Sequence, residues 1–374
     1  MAGIYLHIPF CKQACFYCDF HFSTSLKRKS EMIEAIALEL QMRKEEIKEP
    51  VESIYFGGGT PSLLESKEIT FLLEVIYANF VVTSSAEITL EANPDDLTSQ
   101  KIKALACTKI NRLSIGVQSF FEDDLKFMNR AHTAVESEFC IREAKKYFDN
   151  ITIDLIYGVP NMSNEKWRKN LRKAFDLEVP HISSYALTVE EKTALANFIE
   201  KGKMPPLDER LAENHFRILV DETSKNGFIS YEISNFGKPN FFSKHNTSYW
   251  QGKSYLGIGP SAHSYNKTSR SWNVANNTQY IKSITAKSLP LESEQLSEND
   301  RFNETVMTGL RTIWGVSLSK IENEFGIDKK LELLENAQKY LIKKLLILER
   351  DTLYITEKGK FLADGIASDL FLLT

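Results

Sequence analysis

The sequence predicts an α/β fold, a partial (β/α)6 TIM-like barrel with a small C-terminal winged-helix-like domain. Three observations carry this. Strand-like and helix-like stretches alternate from residue 3 to about 190, which implies parallel strands joined by helical crossovers. Polar or glycine-rich breaks follow the strands one after another, where a parallel barrel gathers its functional loops on one rim. Helical stretches and then a hairpin pattern close the chain. The expected divisions are 1–190 for the barrel core, 191–296 for an aromatic-rich extension covering the barrel, and 297–374 for the winged-helix-like domain.

IYLHI reads as the first strand, and residues 28–48 as a charged amphipathic helix with Met32, Ile36, Leu40 and Ile47 near one face. SIYFGGGTPS is the second strand with its turn, and 67–79 the returning helix. EITLEANP is the third strand, and DDLTSQKIKALAC carries capping-type residues into a helix. RLSIGVQSF is the fourth, followed by a helical stretch carrying Met128 and Arg130 and a further helix to about Phe148. NITIDLIYGVP, a helix near 164–177 and HISSYALTVE complete the six. Beyond residue 190 a linker and one helix ending near Gly227 are expected. The Gly-, Pro- and aromatic-rich stretch after it should lay strands and loops over the barrel's open side.

Composition sets limits on function. With 43% hydrophobic and 26% charged residues, the 374-residue chain can bury a large core. A net charge of −4 argues against a nucleic-acid partner held by general electrostatics. The last 78 residues intersperse Glu and Asp with their cations, so the winged-helix-like segment is read as packing rather than DNA binding. Five cysteines, three of them in one motif, fit a reducing cytoplasm better than a disulfide framework. The N-terminal residues lack the basic start of a signal peptide, and no apolar run would span a bilayer, which leaves room for peripheral membrane contact.

The stretch YLHIPFCKQACFYCDF places Cys11, Cys15 and Cys18 after the first strand. A closed structural zinc site wants four ligands, and Asp19 and His21 are the nearest further candidates. Three thiolates suit a 4Fe–4S cluster that keeps one iron open to another ligand. Phe10, Phe16, Tyr17 and Phe20 would wall such a centre from water. Zinc or three unrelated thiols remain the plain alternatives. At the other strand ends, Gly57, Gly58, Gly59 and Thr60 permit close backbone approach. Glu91, Gln118 and Asp154 offer hydrogen-bonding groups, and Arg130 offers a fork matched to a carboxylate.

The C-x3-C-x2-C spacing resembles the hallmark of the radical S-adenosylmethionine (SAM) enzymes. The words around it are similar to the branch containing oxygen-independent coproporphyrinogen III oxidase and related haem chaperones. The resemblance implies a 4Fe–4S cluster on Cys11, Cys15 and Cys18, with S-adenosylmethionine on its open iron. It implies nucleotide contacts from Tyr5, Tyr17, Gly59, Thr60, Pro61, Glu91, Gln118, Arg130, Asp154 and Ala186. His245, Asn246, Tyr249 and Trp250 form HNxxYW, which matches a motif of the haem chaperones; a flat aromatic surface beside an imidazole suits a tetrapyrrole. The oxidases carry a fourth cysteine two residues after the third, where this chain has Phe20, so oxidative decarboxylation is the second reading. The first is a chaperone without that activity, delivering haem to apo-haemoproteins as a monomer or a cluster-linked dimer.

Overall fold

The computed structural model describes residues 2–372; residue 1 and residues 373–374, at the outer bounds of the expected divisions, lie outside it. Six strand–helix steps open the chain: β1 (Ala2–Ile8), α1 (Lys29–Met42), β2 (Val51–Gly58), α2 (Ser66–Asn79), β3 (Val82–Ala92), α3 (Ser99–Ala106), β4 (Arg112–Gln118), α4 (Glu122–Phe127), α5 (Ala134–Ala144), β5 (Ile151–Tyr157), α6 (Asn164–Asp176) and β6 (His181–Ala186). Strands β1 to β6 pair in order, each parallel to the next. Thr98, Thr133 and Ser163 start α3, α5 and α6 by accepting a hydrogen bond from an N–H of the first turn.

Side chains along these strands alternate. Ile4, Leu6, Ile54, Phe56, Ile88, Leu90, Leu113, Ile115, Ile153 and Ile182 are buried in the core under the helices. The intervening positions carry Tyr5, Tyr55, Glu91, Gln118, Asp154 and Ser183. A barrel interior meant only for packing is filled with branched apolar side chains. This one is polar.

The extension differs from expectation in three ways. The linker contains a helix, α7 (Ala194–Glu200), before α8 (Glu209–Lys225). The segment then extends the sheet at both edges instead of lying across its open side. At one edge β8 (Asn235–Gly237) runs antiparallel to β6, with β7 (Ile229–Ser230) outside it. At the other, past α9 (Lys244–Trp250), β9 (Tyr255–Ile258) runs parallel to β1. Beyond β9 lie β10 (His263–Tyr265), β11 (Ser269–Asn273) and, after α10 (Asn277–Thr285), β12 (Leu291–Gln295), making twelve strands. The extension shares the barrel's hydrophobic core.

Two helical expectations also change. α1 ends at Met42, not near 48; Arg43 caps it, its N–H donating to the Glu39 carbonyl while its side chain pairs with Glu39 in a buried network. Arg130 stands outside α4: Asn129, with φ +57°, turns the chain first. The C-terminal unit has its own core and the winged-helix order. It comprises α11 (Glu298–Leu310), β13 (Val316–Ser317), α12 (Leu318–Phe325), α13 (Ile327–Ile342), β14 (Leu346–Glu349), β15 (Thr352–Ile355) and α14 (Ala363–Ser368), with sheet order β13-β15-β14. It meets both sheet edges, through the Ile313 N–H to the Tyr231 carbonyl (3.0 Å) and the Arg270–Glu304 ion pair. No helix among the described residues is long and apolar enough to cross a membrane.

Candidate active site

The cysteine loop leaves the end of β1 and is tied down before any side chain is considered. The Cys11 N–H donates to the Ser23 carbonyl (3.0 Å), and the Ser23 N–H to that of Pro9 (2.9 Å). The Phe16 N–H reaches Met128 O (3.2 Å), and the Leu195 N–H reaches Phe16 O (2.7 Å). The Gln13 amide donates to Asn129 O, and the Asn129 amide to Ala14 O. α7, missed in the sequence, covers the loop: the Phe198 ring stands edge-on to Phe16 at 5.0 Å.

The triple glycine is spent largely on this loop. A Cβ on Gly59 would lie 2.6 Å from the Phe10 carbonyl, and one on Gly57 2.8 Å from the Tyr5 ring. Gly58 sits at φ +106°, which disfavours any residue with a Cβ. The Gly59 and Thr60 N–H groups donate to the Ile8 and Phe10 carbonyls (2.9 and 2.6 Å). These two amides therefore brace the cysteine loop. Pro61 opens a short 3-10 turn behind them.

The three thiols share one neighbourhood. The Thr60 hydroxyl donates to Cys11 Sγ (3.4 Å), and Arg130 Nη1 to Cys15 Sγ (3.2 Å). Burial pushes the Cys18 thiol up to about 11, against the Phe20 N–H that favours its thiolate; the neighbouring Cys15 and Cys11 raise it further. Among the described residues no three His, Cys, Asp or Glu side chains converge as ligands of a single metal ion do. Ligands of a cubane cluster each bind a different iron and stand further apart, so three half-buried thiols with charge-donating neighbours fit a cluster better than zinc. Tyr17 lies between two of them beside Arg130. Phe20 is 67% exposed and walls nothing.

Inside the barrel, Tyr5 stacks on Tyr55 (6.2 Å), and the Tyr55 hydroxyl donates to Glu91 Oε1 (2.8 Å). The Gly58 N–H lies near Glu91, and the Ser114 and Ser183 hydroxyls lie near Asp154, each favouring the charged carboxylate; the Ser183 hydroxyl donates to Asn235 Oδ1 (2.7 Å). Burial pushes Glu91 up to about 7 and Asp154 up to about 6, with Asp154 adding to the rise at Glu91. Gln118 adopts φ +64° at an irregularity in the β4–β5 register, a conformation costing on the order of 1 kcal/mol in a non-glycine residue. Arg130 Nη2 donates to Asn93 Oδ1 (2.6 Å) and Gly116 O (2.9 Å), while its Nε is buried without a partner. Ala186 ends β6, next to the exposed Tyr185 ring at the barrel mouth.

The structure thus brings Tyr5, Tyr17, Gly59, Thr60, Pro61, Glu91, Gln118, Arg130, Asp154 and Ala186 to one end and interior of one barrel. Sequence reasoning missed Tyr55, Ser114 and Ser183. All three lie at inward positions of the period-2 pattern, which was the available signal.

His245 is elsewhere. HNxxYW is helical, forming α9, and α9 packs against the beginnings of β1 and β2, away from the cysteine loop. The His245 ring is buried, stacks on Tyr55 (4.8 Å), and pairs through Nδ1 with Ser53 Oγ (2.9 Å) and through Nε2 with the Tyr249 hydroxyl (2.7 Å). The His245 backbone N–H donates to Glu87 Oε1 (3.1 Å). Burial depresses it to about 3. With both nitrogens engaged, the ring is a structural pin in this conformation and not an available iron ligand, which corrects the sequence expectation. Asn246 and Trp250 are half-buried on the same helix, and Trp250 and Tyr249 line a cleft.

The comparisons agree with this geometry. Residues 5–174 match the Radical SAM superfamily, and residues 296–362 match the HemN C-terminal domain. The chain is similar to "Heme chaperone HemW" of Lactococcus lactis subsp. lactis (strain IL1403), 35% identical over 98% of this chain and 97% of that protein. It is also similar to "Heme chaperone HemW" of Bacillus subtilis (strain 168), 33% identical over 98% of each. The solved structure of coproporphyrinogen III oxidase (HemN) from Escherichia coli superimposes with a TM-score of 0.86 over 99% of this chain and 90% of that one; at 21% identity this shows the shared fold. On its cysteine loop, its partial barrel and its full-length similarity, the chain belongs to the HemW family of the radical SAM superfamily.

Proposed function

We propose that this protein is a haem chaperone that binds haem and passes it to apo-haemoproteins, and that it carries a 4Fe–4S cluster and S-adenosylmethionine. The observation that carries this reading is similarity to HemW proteins along essentially the whole chain, C-terminal unit included. In it, Cys11, Cys15 and Cys18 hold three irons, and Thr60 and Arg130 donate hydrogen bonds to the first two sulfurs. The bound cluster supplies low-potential electron chemistry and an open iron. Glu91, Asp154, Tyr5 and Gln118 line the space beside it for the nucleotide and its ammonium group. The unpartnered Arg130 Nε and the exposed mouth near Ala186 belong to the same space. The substitution of Phe20 for the oxidases' fourth cysteine supports carriage over decarboxylation. The test is anaerobic purification, haem titration and a coproporphyrinogen III assay on one preparation. A shifted Soret band with no protoporphyrinogen is the expected result; rapid protoporphyrinogen formation without haem binding would refute the reading.

The raised carboxyls give the nucleotide site a pH dependence. As pH rises through about 6 to 7, Asp154 and then Glu91 gain charge. S-adenosylmethionine carries two positive groups and one negative, so its affinity should rise over that interval. Glu91→Gln should weaken binding by roughly tenfold at pH 8, in line with about 1.5 kcal/mol for a charge-assisted hydrogen bond, and flatten the profile. Calorimetric titration at pH 5.5, 6.5 and 8 checks both; a parent profile without slope counts against the placement of these groups.

A further inference from the structure

A wide cleft lies at the opposite end of the barrel from the cysteine loop. Its residue Tyr255 pairs with Gly3, at the start of β1, and Tyr265 pairs in turn with Tyr255. The cysteines follow Ile8, about 17 Å further along the strand at the usual rise. The cleft separates the β9–β11 edge and the end of α9 from α11 and α12 of the C-terminal unit. Its volume is about 780 Å³, within the range of organic cofactor sites.

Two properties of its lining point to one class of ligand. Aromatic faces gather there: Tyr249 stands edge-on to Tyr255 at 4.5 Å, Tyr255 is tilted against Tyr265 at 6.1 Å, and Trp250 and Trp314 lie on the walls. The charge is also inverted relative to the chain. Against a chain total of −4, the lining holds the cations Lys267, Arg270, Arg301 and Lys320 and only the carboxylates Glu304 and Glu324. Arg270 is already paired with Glu304 and Glu294. Lys267, Arg301 and Lys320 have no carboxylate partner among the described residues, and Arg301 rests over the Phe325 ring instead. A flat apolar dianion would satisfy both the faces and two of the three spare cations. A lipid would offer the rings no flat face.

We propose that this cleft is the haem site, with Arg301 and Lys320 binding the two propionates and the tyrosine and tryptophan faces covering the macrocycle. The assignment rests on the chaperone reading and gives it a location. No imidazole lines the cleft; Met307 and the tyrosines are the iron-ligating side chains present. His245 reaches the cleft only through Tyr249, one helical turn on, which accounts for the i, i+4 spacing of His and Tyr in HNxxYW.

The test uses the full chain with its cluster, titrated anaerobically with haem and, separately, with metal-free protoporphyrin and its dimethyl ester. The double variant Arg301→Glu, Lys320→Glu should weaken haem and protoporphyrin at least tenfold while leaving the cluster absorbance unchanged, and the ester should bind the parent no better than the variant binds the diacid. Haem should also protect Lys320 from acetylation in the unmutated chain, a readout independent of how the variant folds. If the parent binds haem and the variant binds it equally, or Lys320 is not protected, the cleft assignment falls and the chaperone reading stands. If the parent binds no haem, both fall.

Discussion

Replacing Arg43 with methionine is expected to lower the unfolding free energy by about 3–5 kcal/mol, the range for removing one partner of a buried ion pair. Arg43 and Glu39 have fully buried side chains 2.9 Å apart. The guanidinium also donates to the Gly257 carbonyl (2.9 Å), to Ser264 Oγ (3.0 Å) and to Glu46 on both oxygens. Glu39 accepts from the Gly259 N–H (2.9 Å), Asn273 Nδ2 (2.7 Å) and the Tyr280 hydroxyl (2.6 Å). One helical turn of α1 thereby fastens β9, β11 and α10 to the barrel. Without Arg43 the Glu39 charge stays buried with neutral donors alone. Adding Glu39→Gln removes that charge and should recover part of the loss. Urea unfolding of the parent, the single variants and the double variant measures the coupling. A loss under 1 kcal/mol for Arg43→Met would mean that the network is decoration.

Replacing Cys11 with alanine should abolish the brown visible absorbance and reduce bound iron and sulfide to near background, with the far-ultraviolet dichroism intact. Two thiolates do not hold a cubane cluster. The fold should survive, because the Cys11 sulfur contributes only the weak bond from Thr60. Cys140→Ala is the control: Cys140 is buried in α5 and its thiol donates to Ser137 O within that helix. Iron and sulfide retained in Cys11→Ala would exclude Cys11 as a ligand.

The strands were legible because their side chains alternate, and the cysteine loop because its ligand set is local in sequence. Glu91, Gln118 and Asp154 could be placed from their positions at or before strand ends. Tyr55 and Ser183 could not, since a tyrosine or serine in a strand has no marked signature until the barrel closes around it. His245 shows the limit more sharply. Its motif was readable, but its ring is held by Ser53, 192 residues earlier, its backbone N–H by Glu87, and its helix by the parallel pairing of β9 with β1. α7 was hidden for a different reason: at seven residues it is too short to show a periodic apolar face, and its burial comes from contact with Phe16. The end of α1 at Met42 was hidden too, because the helical pattern of the sequence continues past it.

The backbone bonds that moor residues 8–23 to Gly59, Thr60, Met128 and Leu195 involve no sulfur atom. The ordering entropy of this segment is therefore met when the polypeptide folds, not when iron arrives. Assembly of the inorganic centre becomes docking into a ready-made cradle, and a chelator that strips it should leave a folded, reloadable shell.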